Sequence, residues 1–412
     1  MQAIKISNTA RKLIVYISIF FMLFASDMVT ALLIGNTVKY AFWAWGIFLL
    51  LINGGKFSYT NMKLLCGILL LRAIIVIAQL FGKIELSSAT VNSILGIALF
   101  LNTIMQTATM CTPEEYANAY INILTFISSV SLICFGILMS PLRNDILRYA
   151  HIDGLYIHNY FHLWGWNNNS WRIELFTRNA GPWWEPGAFQ CFITIAMLMI
   201  LSGRCKNPQS LRTKFLILAI TWITIQSTTG YLIMGFVYLM MFKKIMEIIF
   251  QKPYDKVTSK QKMLLILCAL IALTIFLVTL GYANISEKLS EENGSSTIRF
   301  NDVFSSLKIS MIRPLTGLGE DLSTYYSEYN IVNNSAALLV TTMQYGYIYL
   351  ICFLLLLYRG IKEFFAKEQR FNALGALLVM MILCMTEGIV ELPIIFIFFP
   401  NYHIEEKSGN YE

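Results

Sequence analysis

Apolar runs long enough to cross a bilayer recur eleven times along the 412-residue chain, and no other feature restricts its fold as much. They are Leu13–Gly35, Tyr40–Gly54, Leu64–Gly82, Val91–Met110, Ala119–Ser140, Ala188–Gly203, Lys214–Thr228, Gly230–Phe250, Met263–Ala283, Ser335–Tyr358 and Ala373–Glu391. A hydrocarbon core about 30 Å thick is crossed by roughly 20 residues of helix. Lipid leaves unpaired backbone groups unsatisfied, so the runs are predicted to be helices. A shorter run, Leu392–Pro400, is a candidate twelfth. The expected fold is therefore an all-α integral membrane protein, one polytopic bundle of 11–12 transmembrane helices over residues 1–412. Composition agrees: 57% of residues are apolar, 13% are charged, and mean hydropathy is +0.60, beyond what a water-soluble domain of this size tolerates. The first run is followed by no small-residue cleavage site and is read as a retained span.

The net charge of +7 reports topology rather than a nucleic-acid partner. With the N-terminus cytoplasmic, alternate loops collect 19 of the 31 Lys and Arg residues, as the positive-inside rule requires. That orientation puts both long polar loops, Pro141–Gly187 and Asn284–Asn334, on the outer side. Loops of this length in a compact bundle are usually functional or disordered. The first is rich in Trp, Tyr, His and Asn, while the second becomes amphipathic over Ile298–Ile312, a predicted surface helix ended by Pro314. All eight cysteines fall within or beside the runs and none in either long loop, so a disulfide framework is not expected.

The sharpest local feature is RNAGPWWEPGAF, Arg178–Phe189, leading into the sixth run. Trp183 and Trp184 suit the interfacial belt, Pro186 a first helical turn, and Glu185 the positive end of a helix dipole. Membrane anchoring and helix capping account for the segment by themselves, yet Arg178 and Glu185 also lie where a charged head group would sit. In the second loop, Arg299, Lys308 and Arg313 precede a turn at Pro314, Gly317 and Gly319. A guanidinium offers bidentate donors to phosphate oxygens and stays charged, so the arginines are the better anion ligands. Inside the runs, Asp27 and Arg72 are either functional charges or a structural pair locking two helices. Glu387 and Glu391, spaced i,i+4, are expected to share a helix face. His151, His158, His162 and Asp153 match no zinc spacing, and no metal is expected.

The block at Arg178–Phe189, the TIQSTTG stretch at Thr224–Gly230, the loop from Arg299 through PLTGLGED, and the NNS start to the tenth run together resemble the bacterial O-antigen polymerase family. The likeness covers roughly Arg178 to Leu350; the first five runs resemble the family in hydropathy alone. It implies a GT-C-like bundle of the inner membrane with two large periplasmic loops, and a metal-independent glycosyltransferase without cofactors. Such an enzyme polymerises undecaprenyl-diphosphate-linked glycans within the bilayer, with a polysaccharide chain-length regulator as a possible partner. Carried over residue by residue, Arg299 and Arg178 fall to the diphosphate and Glu185 to the base or acceptor. Arg313, Asn333, Asn334, Trp183 and Trp184 fall to substrate binding. The related O-antigen ligases carry an arginine where this chain has Ser227-Thr228-Thr229, and a histidine at Asn333-Asn334; lacking both favours polymerase over ligase. A polysaccharide flippase is the alternative of another class, and the polarity concentrated in outer loops rather than in repeated broken helices weighs against it.

Overall fold

The computed structural model describes residues 6–28, 35–141, 148–152, 155–160, 163–167, 177–205, 208–264, 266–267, 295–329, 331, 334, 336–365 and 372–402. At 138, within 148–177, and at 208–209, 228 and 295–300, it describes the backbone alone. Most of the ninth predicted run, Met263–Ala283, lies outside these residues, as do Asn333, His162 and Asp153.

The chain is mostly helical. Its helices are α1 (Asn8–Ala25), α2 (Thr37–Ile52), α3 (Tyr59–Phe81), α4 (Ser88–Met110), α5 (Pro113–Leu138), α6 (Pro186–Leu201), α7 (Pro208–Ile225) and α8 (Thr228–Phe250). They continue with α9 (Ser295–Ser310), α10 (Ser323–Glu328), α11 (Ala337–Phe365), α12 (Ala373–Thr386) and α13 (Pro393–Phe396). Five of them, α1, α3, α4, α5 and α11, are long and apolar enough to cross a membrane; α2, α6 and α12 are shorter and equally apolar. Their boundaries are written locally. At α5, Thr112 and Glu115 form a capping box with Pro113 in the first turn. Ser227 accepts from Gly230 N at the start of α8, and Asn372 from Gly375 N at the start of α12.

All 16 residues of α6 are buried, and α5, α7, α8 and α12 pack around it. Across the bundle, α1, α3, α5, α8 and α11 expose large apolar side chains such as Phe20, Leu70, Ile74, Phe126, Leu239 and Leu355. That pattern suits an apolar solvent.

Four sequence expectations are corrected. The architecture is not purely α: within the first long loop, residues Arg148–Ile152, Leu155–Tyr160, Leu163–Asn167 and Thr177–Gly181 form an antiparallel sheet, β1 to β4 in order. The first helix stops at Ala25, with Asp27 beyond it in the left-handed region at φ 56°, so Asp27 is not a mid-helix charge. Leu392–Pro400 is no twelfth span: it folds as the four-residue α13 and buries every residue from Pro393 to Phe399. Finally, α9 is not sorted as a water-facing amphipathic helix is: Asp302, Ser306, Ile309 and Ser310 are buried, α9 packing on α11, whereas Phe304 and Leu307 are exposed alongside Asn301 and Lys308.

Candidate functional site

The bundle end carrying both long loops gathers two polar groups of side chains. The first surrounds the entry to α6. Arg178, on β4 and half-buried, donates from Nε to the Ile225 carbonyl at 3.3 Å and lies within electrostatic reach of Tyr231. Its neighbour Asn179 is buried and fixes the strand. It accepts from Ser131 Oγ at 2.5 Å and from Gly181 N at 3.0 Å, and donates to Thr224 Oγ1 at 3.0 Å. Glu185 occupies the N-cap position of α6 without capping it, and accepts from Trp184 Nε1 at 3.1 Å. Glu387 packs its carboxylate against the Cα of Gly187 in the first turn of the same helix. Two carboxylates thus flank the positive end of a helix dipole, and the cation Arg178 stands on the adjoining strand β4. Gln190 Oε1 is buried beside Gly230 with no hydrogen-bond partner among the described residues.

Trp183 differs from the interfacial tryptophan expected. It is fully buried, stacked on Phe189 at 5.1 Å and Phe192 at 4.2 Å, and its Nε1 donates to the Ser26 carbonyl at 3.1 Å. Its amphipathic ring is spent on joining α1 to the α6 entry. Trp184 is half-buried.

The second group joins Arg72 and Glu391, each visible in the sequence, to partners it did not reveal, because the members come from five separate segments. Arg72 on α3 is fully buried. It donates to Tyr349 Oη at 3.0 Å, Ser93 Oγ at 2.8 Å, Tyr345 Oη at 3.1 Å and Glu391 Oε1 at 2.8 Å. Its guanidinium also lies 4.3 Å and 5.0 Å from the ring centres of Tyr345 and Tyr349. Its carboxylate partner is therefore Glu391 and not Asp27. Tyr345 Oη in turn donates to Glu320 of the second loop, which also accepts from Gln344 Nε2 at 2.9 Å. Burial pushes the Glu320 carboxyl up to about 7, and the Glu391 charge adds to the push. Arg72 and the Ser93 hydroxyl pull the other way.

One short segment joins the groups. Because α12 ends at Thr386 and Glu387 is extended at φ −137°, Glu387 and Glu391 do not share a helix face as their spacing suggested. Glu387 turns to α6 and Glu391 to Arg72. Four residues of chain span at most about 13 Å, so both groups belong to one region.

Arg313 donates to the Gly82 carbonyl at 2.8 Å, tying the second loop to the end of α3. Asn334 donates to Ser306 Oγ at 2.6 Å and accepts from Ala336 N at 3.1 Å, joining α9 to the start of α11. Arg299 lies in the opening turns of α9, its side chain outside the described residues.

No family model matches this chain, and no curated protein matches it in sequence.

Proposed function

We propose that this chain is a metal-independent glycosyltransferase of the bacterial inner membrane. It has about eleven spans, a cytoplasmic N-terminus and both long loops in the periplasm, and it polymerises undecaprenyl-diphosphate-linked oligosaccharides into surface polysaccharide. The observation that carries the reading is the grouping of Glu185 and Glu387 about the positive end of α6, with Arg178 on the adjoining strand β4. Such a transfer needs a cation for the charge developing on the leaving diphosphate and a base for the acceptor hydroxyl. In this reading Arg178 and Arg299 hold the diphosphate, Glu185 or Glu387 takes the proton, and Trp184 and Asn334 border the acceptor.

The test is a ladder assay. Purified protein given only lipid-linked repeat units, with chelator present, is expected to lengthen them, and Arg178→Ala to slow lengthening by about a hundredfold or more. Units that stay single with the wild-type protein defeat the reading. One observation favours a flippase instead: α11 is broken at Gly346 beside the buried Arg72. Repeat units that accumulate on the cytoplasmic face of a deletion strain would decide for it.

A further inference from the structure

A buried guanidinium must find partners for five N–H groups. In Arg72 the Nε–H goes to Tyr349 and the two Nη1–H to Ser93 and Tyr345, all three uncharged hydroxyls, on α4 and on either side of the break in α11. Two tyrosine rings pack beside it. These contacts hold the guanidinium in place without neutralising it.

The counter-ion is the loose member. Glu391 reaches Arg72 through one oxygen and one Nη2–H, although the guanidinium fork favours two parallel bonds. Its side chain is 42% exposed against 1% for Arg72, and it stands on the turn after α12 rather than on a helix. Phosphate competes for the same fork as a carboxylate does. The region also lies within about 13 Å of chain from the α6 entry, by way of Glu387.

We infer that Arg72 is a concealed phosphate-binding site, and that Glu391 is the built-in anion occupying it until the diphosphate of a prenyl-linked substrate takes its place. The inference rests on the polymerase reading for the identity of the substrate, though not for the existence of the site. Glu320, joined to Arg72 through Tyr345, takes up a proton more readily than an ordinary carboxyl, so it need not oppose an incoming anion near neutral pH.

The test is calorimetric titration of the full-length protein in nanodiscs with three probes: farnesyl diphosphate, farnesol and inorganic diphosphate. Farnesyl diphosphate is expected to bind and farnesol not to. If Glu391 occupies the site nine-tenths of the time, Glu391→Gln tightens the diphosphate by about tenfold, since the competent fraction rises towards one. The glutamine keeps a hydrogen-bond acceptor for the Arg72 Nη2–H, and thermal unfolding of the variant checks that its fold is retained. Arg72→Lys, which loses the fork, is expected to weaken binding by tenfold or more. Unchanged or weaker binding in Glu391→Gln overturns the inference, because a purely structural counter-ion gives that result. Equal affinity for inorganic diphosphate overturns the assignment to a prenyl-linked anion. A protein that shows the tightening yet never lengthens lipid-linked units retires the polymerase reading alone. One that lengthens them with binding unchanged in Glu391→Gln retires the Arg72 site alone.

Discussion

Gly317 and Gly346 stand on two segments in backbone-on-backbone contact. A Cβ on Gly317 would strike the Gln344 carbonyl, and one on Gly346 the Leu315 carbonyl. Their φ angles are +70° and +80°, in the left-handed region. The break in α11 frees carbonyls, and the second loop and α3 satisfy them. Leu318 N donates to Met343 O at 2.7 Å, Gly319 N to Gln344 O at 3.1 Å, and Gln79 Nε2 to Gln344 O at 2.7 Å. Irregular backbone inside an apolar bundle requires partners of this kind. The contact also delivers Glu320 to Tyr345.

Alanine at either glycine is therefore expected to cost about 2 kcal/mol or more, from left-handed strain plus the backbone clash. Thermal unfolding of the purified protein in detergent measures it. A melting temperature equal to the wild type in both variants would show that the two segments do not meet.

Glu320 makes stability depend on pH. The unfolded carboxyl titrates near 4.5 and the folded one at about 7. Between those values the folded state binds more protons, so stability falls as pH rises through the window and levels off above it. Glu320→Gln removes this contribution. The difference in unfolding free energy between wild type and variant should slope from about pH 4.5 to about pH 7, and a flat difference contradicts the assignment.

Asn179 fixes the strand that carries Arg178. Truncation to alanine leaves the Ser131 and Thr224 hydroxyls and the Gly181 N–H without this partner in a buried setting. A loss of about 2 kcal/mol is expected. In the ladder assay, its effect should be smaller than that of Arg178→Ala. Equal effects would place Asn179 among the groups touching substrate.

Sequence pattern was most informative where one rule governed a whole segment. The buried α6, its start at Pro186 and the end of α9 before Pro314 all follow from local chemistry. Pattern was misleading where distant segments decide the outcome. The spacing of Glu387 and Glu391 implies a shared face only while the helix lasts, and it ends one residue before the first of them. Gly346 reads as an ordinary glycine in an apolar run until Leu315 and Thr316 are placed against it. Hydropathy could not tell a spanning run from the buried plug at Pro393–Phe399. Arg72 was visible as a charge in a span, but its partners lie 21 to 319 positions away.

The Arg72–Glu391 pair separates the cost of a buried charge from the value of the contact. Glu391→Ala strands a guanidinium that is 1% exposed, for an expected loss of about 3 kcal/mol or more. Arg72→Met strands a carboxylate that is 42% exposed rather than enclosed, so less of its loss is electrostatic. The joint variant, Arg72→Met with Glu391→Ala, removes the stranded charge altogether and should recover at least half of the Glu391→Ala loss, since apolar side chains often replace buried ion pairs at little cost. A double-mutant cycle in unfolding free energy isolates the coupling. If the joint variant is no more stable than Glu391→Ala, the desolvated guanidinium is not what made the single replacement costly, and Glu391 acts by packing the turn after α12.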